Sequence, residues 1–350
     1  MADLTGWAEL FELPKGFLSA DARDLCQVLP TPTLIHLPGR RTPALFVSIL
    51  LHGNETVGLR AVQSILARYA ERPLPRALSV FVGNVRGAHA GLRRLDEQTD
   101  FNRVWPGGTL ESLRSSEGVM AQQVFTRMAA RHPFACIDLH NNTGLNPLYS
   151  CVTAPTSENL QLATLFGRTV IVFEQPVGTL VGAFGAICPS IAVECGRPGN
   201  VEGEARAAEL IDAAMHWAEV PHHPPAPHDI DAFETIGVVT VRPEVSFAFS
   251  KDAAVDVRFD AAIDHCNFRE LAVGTSFGVV ASGVTMPLRV HDAHGRDVTR
   301  EYFEVRNGVL MNTRPLMPAM LTTDERAIRQ DCLCYVMARI EPSGRPGKLR

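Results

Sequence analysis

Ala44-Leu-Phe-Val-Ser-Ile-Leu-Leu-His-Gly-Asn-Glu55 is the stretch whose reading decides the fold. Seven of its first eight residues are apolar, the mark of a strand buried on both faces in the middle of a parallel sheet. Sheets of that kind bind their ligands at the carboxyl ends of the strands. His52 and Glu55 are therefore delivered to the edge where the chemistry is kept. Gly53 permits a sharp turn, and 56–72 then reads as a helix with Val57, Ala61, Ile65, Leu66 and Tyr69 toward the sheet.

A His and a Glu three residues apart across a strand-to-helix turn can close on one metal ion. A catalytic zinc of the His₂Glu kind needs one more protein ligand and leaves its fourth position to water. His140 is the best third ligand, because it ends a second apolar run, Phe134-Ala-Cys-Ile-Asp-Leu-His140, before the loop Asn141-Asn142-Thr143-Gly144. Either His alone reads as a hydrogen-bonded loop residue. Two strand ends converging on one edge point instead to His52, Glu55 and His140 as a site for one Zn²⁺ per chain.

Outward from this centre, residues 1–40 read as a lead-in with a short edge strand at 33–36. Pro73 and Pro75 stop the helix, 78–82 is the next strand, and 85–108 is a long loop holding Arg93-Arg94 and Asp100-Phe101-Asn102-Arg103. Compact domains seldom keep about 24 residues without regular structure unless the loop has a job. Helices are expected at 115–131, 158–168 and 204–220, and strands at 134–139, 148–152, 169–173 and 190–193. This alternation argues an α/β fold, a mixed and mostly parallel sheet with helices on both faces, as the catalytic domain over 1–220. Residues 221–231, rich in Pro and His, read as a stiff exposed linker rather than a metal tract. Beyond it, short alternating runs separated by Gly and Pro turns make 232–350 a small C-terminal β domain.

The composition agrees with a two-domain soluble chain. Its 350 residues exceed the roughly 250–300 that a single core supports. A net charge of −5 implies no broad basic surface for nucleic acid, and no apolar run reaches the ~18 residues that span a membrane. The first residues lack the basic start and apolar core of a signal peptide, so a cytoplasmic location is expected. None of the eight cysteines forms a C-x-x-C pair, which argues reduced core thiols over a disulfide framework or zinc knuckle.

Hydrolysis at a metal needs a base, and two strand ends offer one: Glu194 in Ser190-Ile-Ala-Val-Glu-Cys-Gly196 and Glu174 in Val170-Ile-Val-Phe-Glu174. Gly196 tilts the choice toward Glu194 without closing it. The oxyanion of carbonyl hydrolysis also needs a cation, and Arg93, Arg94 and Arg103 all lie in the long loop. Arg103 beside Asn102 pairs a planar fork with an amide, suited to capture of a substrate carboxylate. A solvated loop face is the plainer reading of the same arginines.

His52-Gly53-Asn54-Glu55, Asp100-Phe101-Asn102-Arg103, Asp138-Leu139-His140 and Val193-Glu194-Cys195-Gly196 occur in the order seen in the succinylglutamate desuccinylase and aspartoacylase family, a branch of the zinc carboxypeptidase fold. The chain resembles that family over roughly 40–220. The resemblance implies zinc on His52, Glu55 and His140, and Glu194 as general acid/base. It implies Asn102 with Arg103 as a carboxylate clamp, and Arg93 or Arg94 against the scissile carbonyl oxygen. Asn141, directly after the zinc His, joins the substrate-binding set. Gln98-Thr99 depart from the family spacing as extra residues between that arginine and Asn102.

The expectation is a zinc hydrolase cleaving the amide bond of an N-acyl amino acid or a similar small carboxylate-bearing amide, with an ester also compatible. The alternatives are a zinc carboxypeptidase acting on short peptides and a zinc-binding module without turnover. Two roles stay open for the β domain: restricting access to the zinc, or carrying the contact of a homo-oligomer.

Overall fold

The computed structural model describes residues 6–250 and 252–340. The chain divides into two compact units. The first takes residues up to 141 and 148–232, and the second takes 142–147 and 233–340.

The first unit is built on eight strands: β1 (Ala8–Leu10), β2 (Thr33–Leu37), β3 (Leu45–Ile49), β4 (Leu78–Val82), β5 (Ala135–His140), β6 (Tyr149–Val152), β7 (Thr169–Val172) and β8 (Ser190–Glu194). Their order is β1-β2-β4-β3-β5-β8-β6-β7. The β2–β4 and β6–β8 pairs are antiparallel and the others parallel. Every residue of β3, β4, β5 and β8 is buried, the state that their near-continuous apolar runs require.

The helices are α1 (Val57–Arg68), α2 (Val85–Ala90), α3 (Leu110–Arg114), α4 (Ser116–Ala129), α5 (Ser157–Thr164), α6 (Leu180–Phe184) and α7 (Val201–His216). Alternation along the central strands serves both faces. Phe46, Phe81 and Cys136 pack with Met120, Val124 and Met128 of α4 and Leu180 and Phe184 of α6. Ile49 and Leu139 meet α1, where Gly58 lies so close that a Cβ would stand 3.0 Å from each of their side chains.

Several boundaries differ from the expected ones. The segment at 33–37 is not an edge strand, because β1 pairs beside it, and Phe17, Leu25 and Leu29 bury the lead-in against the unit. The loop after β4 opens with α2. Asn84 caps it by accepting the Gly87 N–H (2.8 Å), and Gly91 ends it in the left-handed region (φ +68°). The helix expected over 115–131 is α4, capped by Ser115, and the short α3 precedes it where no helix is expected. Two of the three linker histidines stand on α5: His222 Nδ1 is 2.9 Å from Glu158 and His223 accepts from Gln161.

The second unit holds a five-stranded sheet in the order β10 (Phe247–Ala248), β11 (Val257–Phe259), β12 (Ser276–Val280), β15 (Val309–Asn312), β14 (Phe303–Arg306), antiparallel apart from β10–β11. Beside it, β9 (Asp231–Val241), which belongs to this unit from Phe233 onward, pairs with β13 (Leu288–Asp292), and β16 (Met317–Ala319) pairs with β17 (Cys334–Ile340). Val239, Val257, Phe259, Phe277, Phe303 and Val336 share its core. Residues 142–147 join this unit because Asn146 accepts the Met320 N–H and Gly144 lies against the Leu321 carbonyl.

All eight cysteines are free thiols, and Cys136, Cys188, Cys195, Cys332 and Cys334 are buried. Among the described residues, no helix is long and apolar enough to cross a membrane.

Candidate active site

Four neighbouring parallel strands, β4, β3, β5 and β8, end at one edge of the sheet. Their ends carry Asn84, His52, His140 and Glu194, so the convergence follows from strand order rather than from loop placement. Gly53 is obligatory at the turn after β3, since a Cβ there would meet the Ala88 nitrogen and the Gly87 carbonyl carbon, each at 2.1 Å. That close approach brings α2 against the His52 turn.

His52, Glu55 and His140 are all buried, and their ligand atoms lie within 4.8 Å of one another. His52 Nδ1 is 2.7 Å from Glu55 Oε1 and His140 Nδ1 is 2.7 Å from Glu55 Oε2. Behind each ring stands a second carboxylate: Asp100 lies 3.1 Å from His52 Nε2 and Asp138 lies 2.8 Å from His140 Nε2. Both Nε2 atoms are thus held from outside while both Nδ1 atoms face inward. That is how metal-binding imidazoles are usually oriented by their outer partners. Two imidazole nitrogens, a carboxylate and a surrounding excess of negative charge fit a divalent cation of the zinc type.

The electrostatics follow from this packing. Burial works against charge on His140, yet Asp138 and Glu55 hold its pKa well above the ordinary imidazole value, and His52 is raised as well. Burial likewise opposes charge on Glu55 and Asp100. Glu55 nevertheless falls below its usual range beside the two histidines, and Asp100 does so beside Arg93 and His52.

Glu194 lies opposite His140 across the β5–β8 pair. Burial pushes its carboxyl up to about 7. Its Oε2 is buried and makes no hydrogen bond within the protein. Glu174 is exposed in the loop after β7.

The two candidate arginines part company. Arg93 reaches Asp100 Oδ2 through Nε and Nη2 (3.1 and 3.0 Å), and its Nη1 stands 3.8 Å from Glu55. Arg94 turns back on its own loop, donating to the carbonyls of Gln98 (2.9 Å) and Leu95 (3.3 Å). Arg103 is half-buried and donates to the Asn102 carbonyl at 2.9 Å. The Asn102 side chain accepts the Leu180 N–H (2.9 Å), and its Nδ2 is 3.2 Å from His140 Nε2. Asn141 spends its amide within the fold, accepting from Val57 N at 3.0 Å and donating to Gly196 O at 2.7 Å, while its own N–H meets Glu55 at 3.2 Å. Asn141 thereby ties the start of α1 to the turn after β8.

Sequence reasoning quoted Asp100 and Asp138 inside motifs and gave them no role. Asp138 had a legible signal, because two residues before His140 on a strand is the same face. Asp100 had none beyond its motif, since its approach to His52 depends on how the loop folds.

Residues 41–201 match the family described as Succinylglutamate desuccinylase/Aspartoacylase catalytic domain. The resemblance to that family holds over this stretch. No curated protein matches the chain in sequence. Among solved structures, succinylglutamate desuccinylase from Vibrio cholerae is similar at 15% identity, covering 94% of this chain and 95% of its own, with a TM-score of 0.56. Succinylglutamate desuccinylase/aspartoacylase from Rhodobacter sphaeroides is similar at 13% identity, 87% and 88% coverage and a TM-score of 0.57. Murine aminoacylase 3 is similar at 17% identity, 86% and 97% coverage and a TM-score of 0.54. At these identities the likeness is one of fold. The desuccinylase/aspartoacylase-like stretch contains all four motifs and ends with the first residue of α7.

Proposed function

We propose that this chain is a zinc-dependent hydrolase that removes the acyl group of a small N-acyl amino acid by cleaving its amide bond. The observation that carries this reading is one buried carboxylate, Glu55, with His52 Nδ1 on one oxygen and His140 Nδ1 on the other. The names of the matched family and of the similar structures, desuccinylases and acylases, support the reaction class.

Zinc bound by His52, Glu55 and His140 would supply a Lewis acid for the scissile carbonyl and for water. Glu194 takes the proton of the attacking water and returns it to the leaving nitrogen, a task suited to a carboxyl held at about 7. Arg93, fixed by Asp100 through two hydrogen bonds, presents a cation where the carbonyl oxygen gains charge. Arg103 offers its guanidinium to the carboxylate of the amino acid. Asn102 and Asn141 hold the surrounding backbone in place.

The test is metal analysis of the purified protein, followed by assays on N-acyl amino acids that differ in acyl chain and amino acid. One equivalent of metal per chain with turnover on part of the panel is expected. Full metal content without hydrolysis across the panel would reduce the protein to a binding module. Faster release from dipeptides would make it a carboxypeptidase.

A further inference from the structure

Gln98 is buried at 6% exposure in the loop between Arg93 and Asn102. Its side chain forms a reciprocal amide pair with the equally buried Asn84. Asn84 Nδ2 donates to Gln98 Oε1 at 2.9 Å, and Gln98 Nε2 donates to Asn84 Oδ1 at 3.1 Å. Gln98 Oε1 also accepts the Leu95 N–H at 2.9 Å, and its main chain bonds to Leu95 and to the Arg94 guanidinium. The turn Leu95–Gln98 is therefore closed on itself and pinned to the end of β4.

The connection continues to the metal ligands. Asn84 Nδ2 reaches the Arg93 carbonyl at 3.5 Å, and that carbonyl accepts the Gly53 N–H at 3.0 Å, directly beside His52. The Arg93 side chain grips Asp100, and Asp100 meets His52 Nε2. Every link lies in the first unit and each end of the pair is satisfied. A buried amide pair of this kind has one low-energy arrangement, because any rotation leaves a donor or acceptor unpaired.

We propose that Gln98 is a positioning residue which, through Asn84, sets the Arg93–Asp100 pair that orients His52 toward the cation. This rests on the reading of His52 as a metal ligand, and its main test is independent of turnover.

Zinc affinity is measured by competition with a chromogenic chelator for the wild-type protein, Gln98→Ala, Asp100→Ala and the double variant. Outer partners of a metal-binding His typically change affinity 10–100-fold when removed. Gln98→Ala is expected to weaken zinc binding by about fivefold to tenfold, less than Asp100→Ala because it acts through it. In the Asp100→Ala background the same change should cost less than about twofold, because the two act along one path. An equal loss in both backgrounds, or none in either, overturns the proposal. Should Gln98→Ala fail to fold, Gln98→Glu replaces it, keeping the acceptor for Leu95 and Asn84 and losing the donor to Asn84, with the same expectations. A wild-type protein that binds zinc but hydrolyses nothing would defeat the proposed function and leave this test standing. One that binds no zinc defeats both.

Discussion

Glu194 illustrates how much of the chemistry is decided at single residues. A carboxyl in water is ionised at neutral pH, whereas burial at the end of β8 pushes this one up to about 7. The base form is the one that accepts a proton from water, so the rate should fall as pH drops through the Glu194 pKa. A bound dication favours the carboxylate, so the acid limb of kcat/KM is expected at or below pH 7. Glu194→Gln keeps the shape and removes the proton carrier. It should retain zinc and lose roughly 10²–10⁴-fold in kcat, read by stopped assays on the same substrate. Asp138→Asn should leave His140 in place and weaken zinc by about 10–100-fold in a chelator competition, because the carboxylate behind Nε2 is gone. Arg94→Ala should leave kcat within a few fold of wild type, and a loss as large as that of Arg93→Ala would show that Arg94 reaches the reacting carbonyl.

At the scale of elements, the site depends on the meeting of β3, α2 and the turn between β3 and α1. Gly53 marks the contact. A methyl group there overlaps the backbone of Gly87 and Ala88, which no rotamer can relieve. Gly53→Ala is expected to cost at least about 3 kcal/mol in denaturant unfolding and to lower zinc content. A variant of wild-type stability would mean that α2 yields easily. The 85–108 segment also has a packing role, because Phe101, Val104 and Trp105 are buried among α4 and α6 residues. Anchoring the loop in the core lets it hold Arg93 and Asp100 at fixed positions.

For the whole molecule, a cation held by His52, Glu55 and His140 would be linked to the fold. A ligand that binds the folded chain and not the unfolded one stabilises it by about 2.7 kcal/mol at one hundred times Kd. Chelation should therefore lower Tm by several degrees, reversed on adding zinc, as read by scanning calorimetry. The thiols report on the same integrity. Burial pushes Cys188 up to about 12 and Cys136 and Cys195 well above the ordinary range, so almost no thiolate forms at pH 8. Native protein should label these three far more slowly than Cys26, and rapid labelling would mean that the first unit opens.

The sequence by itself determined the class of fold and the candidate metal-ligand trio. A buried parallel strand leaves a near-continuous apolar run, and an open sheet can end such strands only at a shared edge. His52, Glu55, His140 and Glu194 were legible on that ground, as was the β character of the C-terminal part. Only tertiary structure separated Arg93 from Arg94 and drew Asn141 into the frame. It also placed Asp100 behind His52 and made Gln98 a partner of Asn84. These depend on where a loop folds back, which is settled by distant contacts such as Gly53 against α2 and Trp105 in the core. No local period or spacing encodes them.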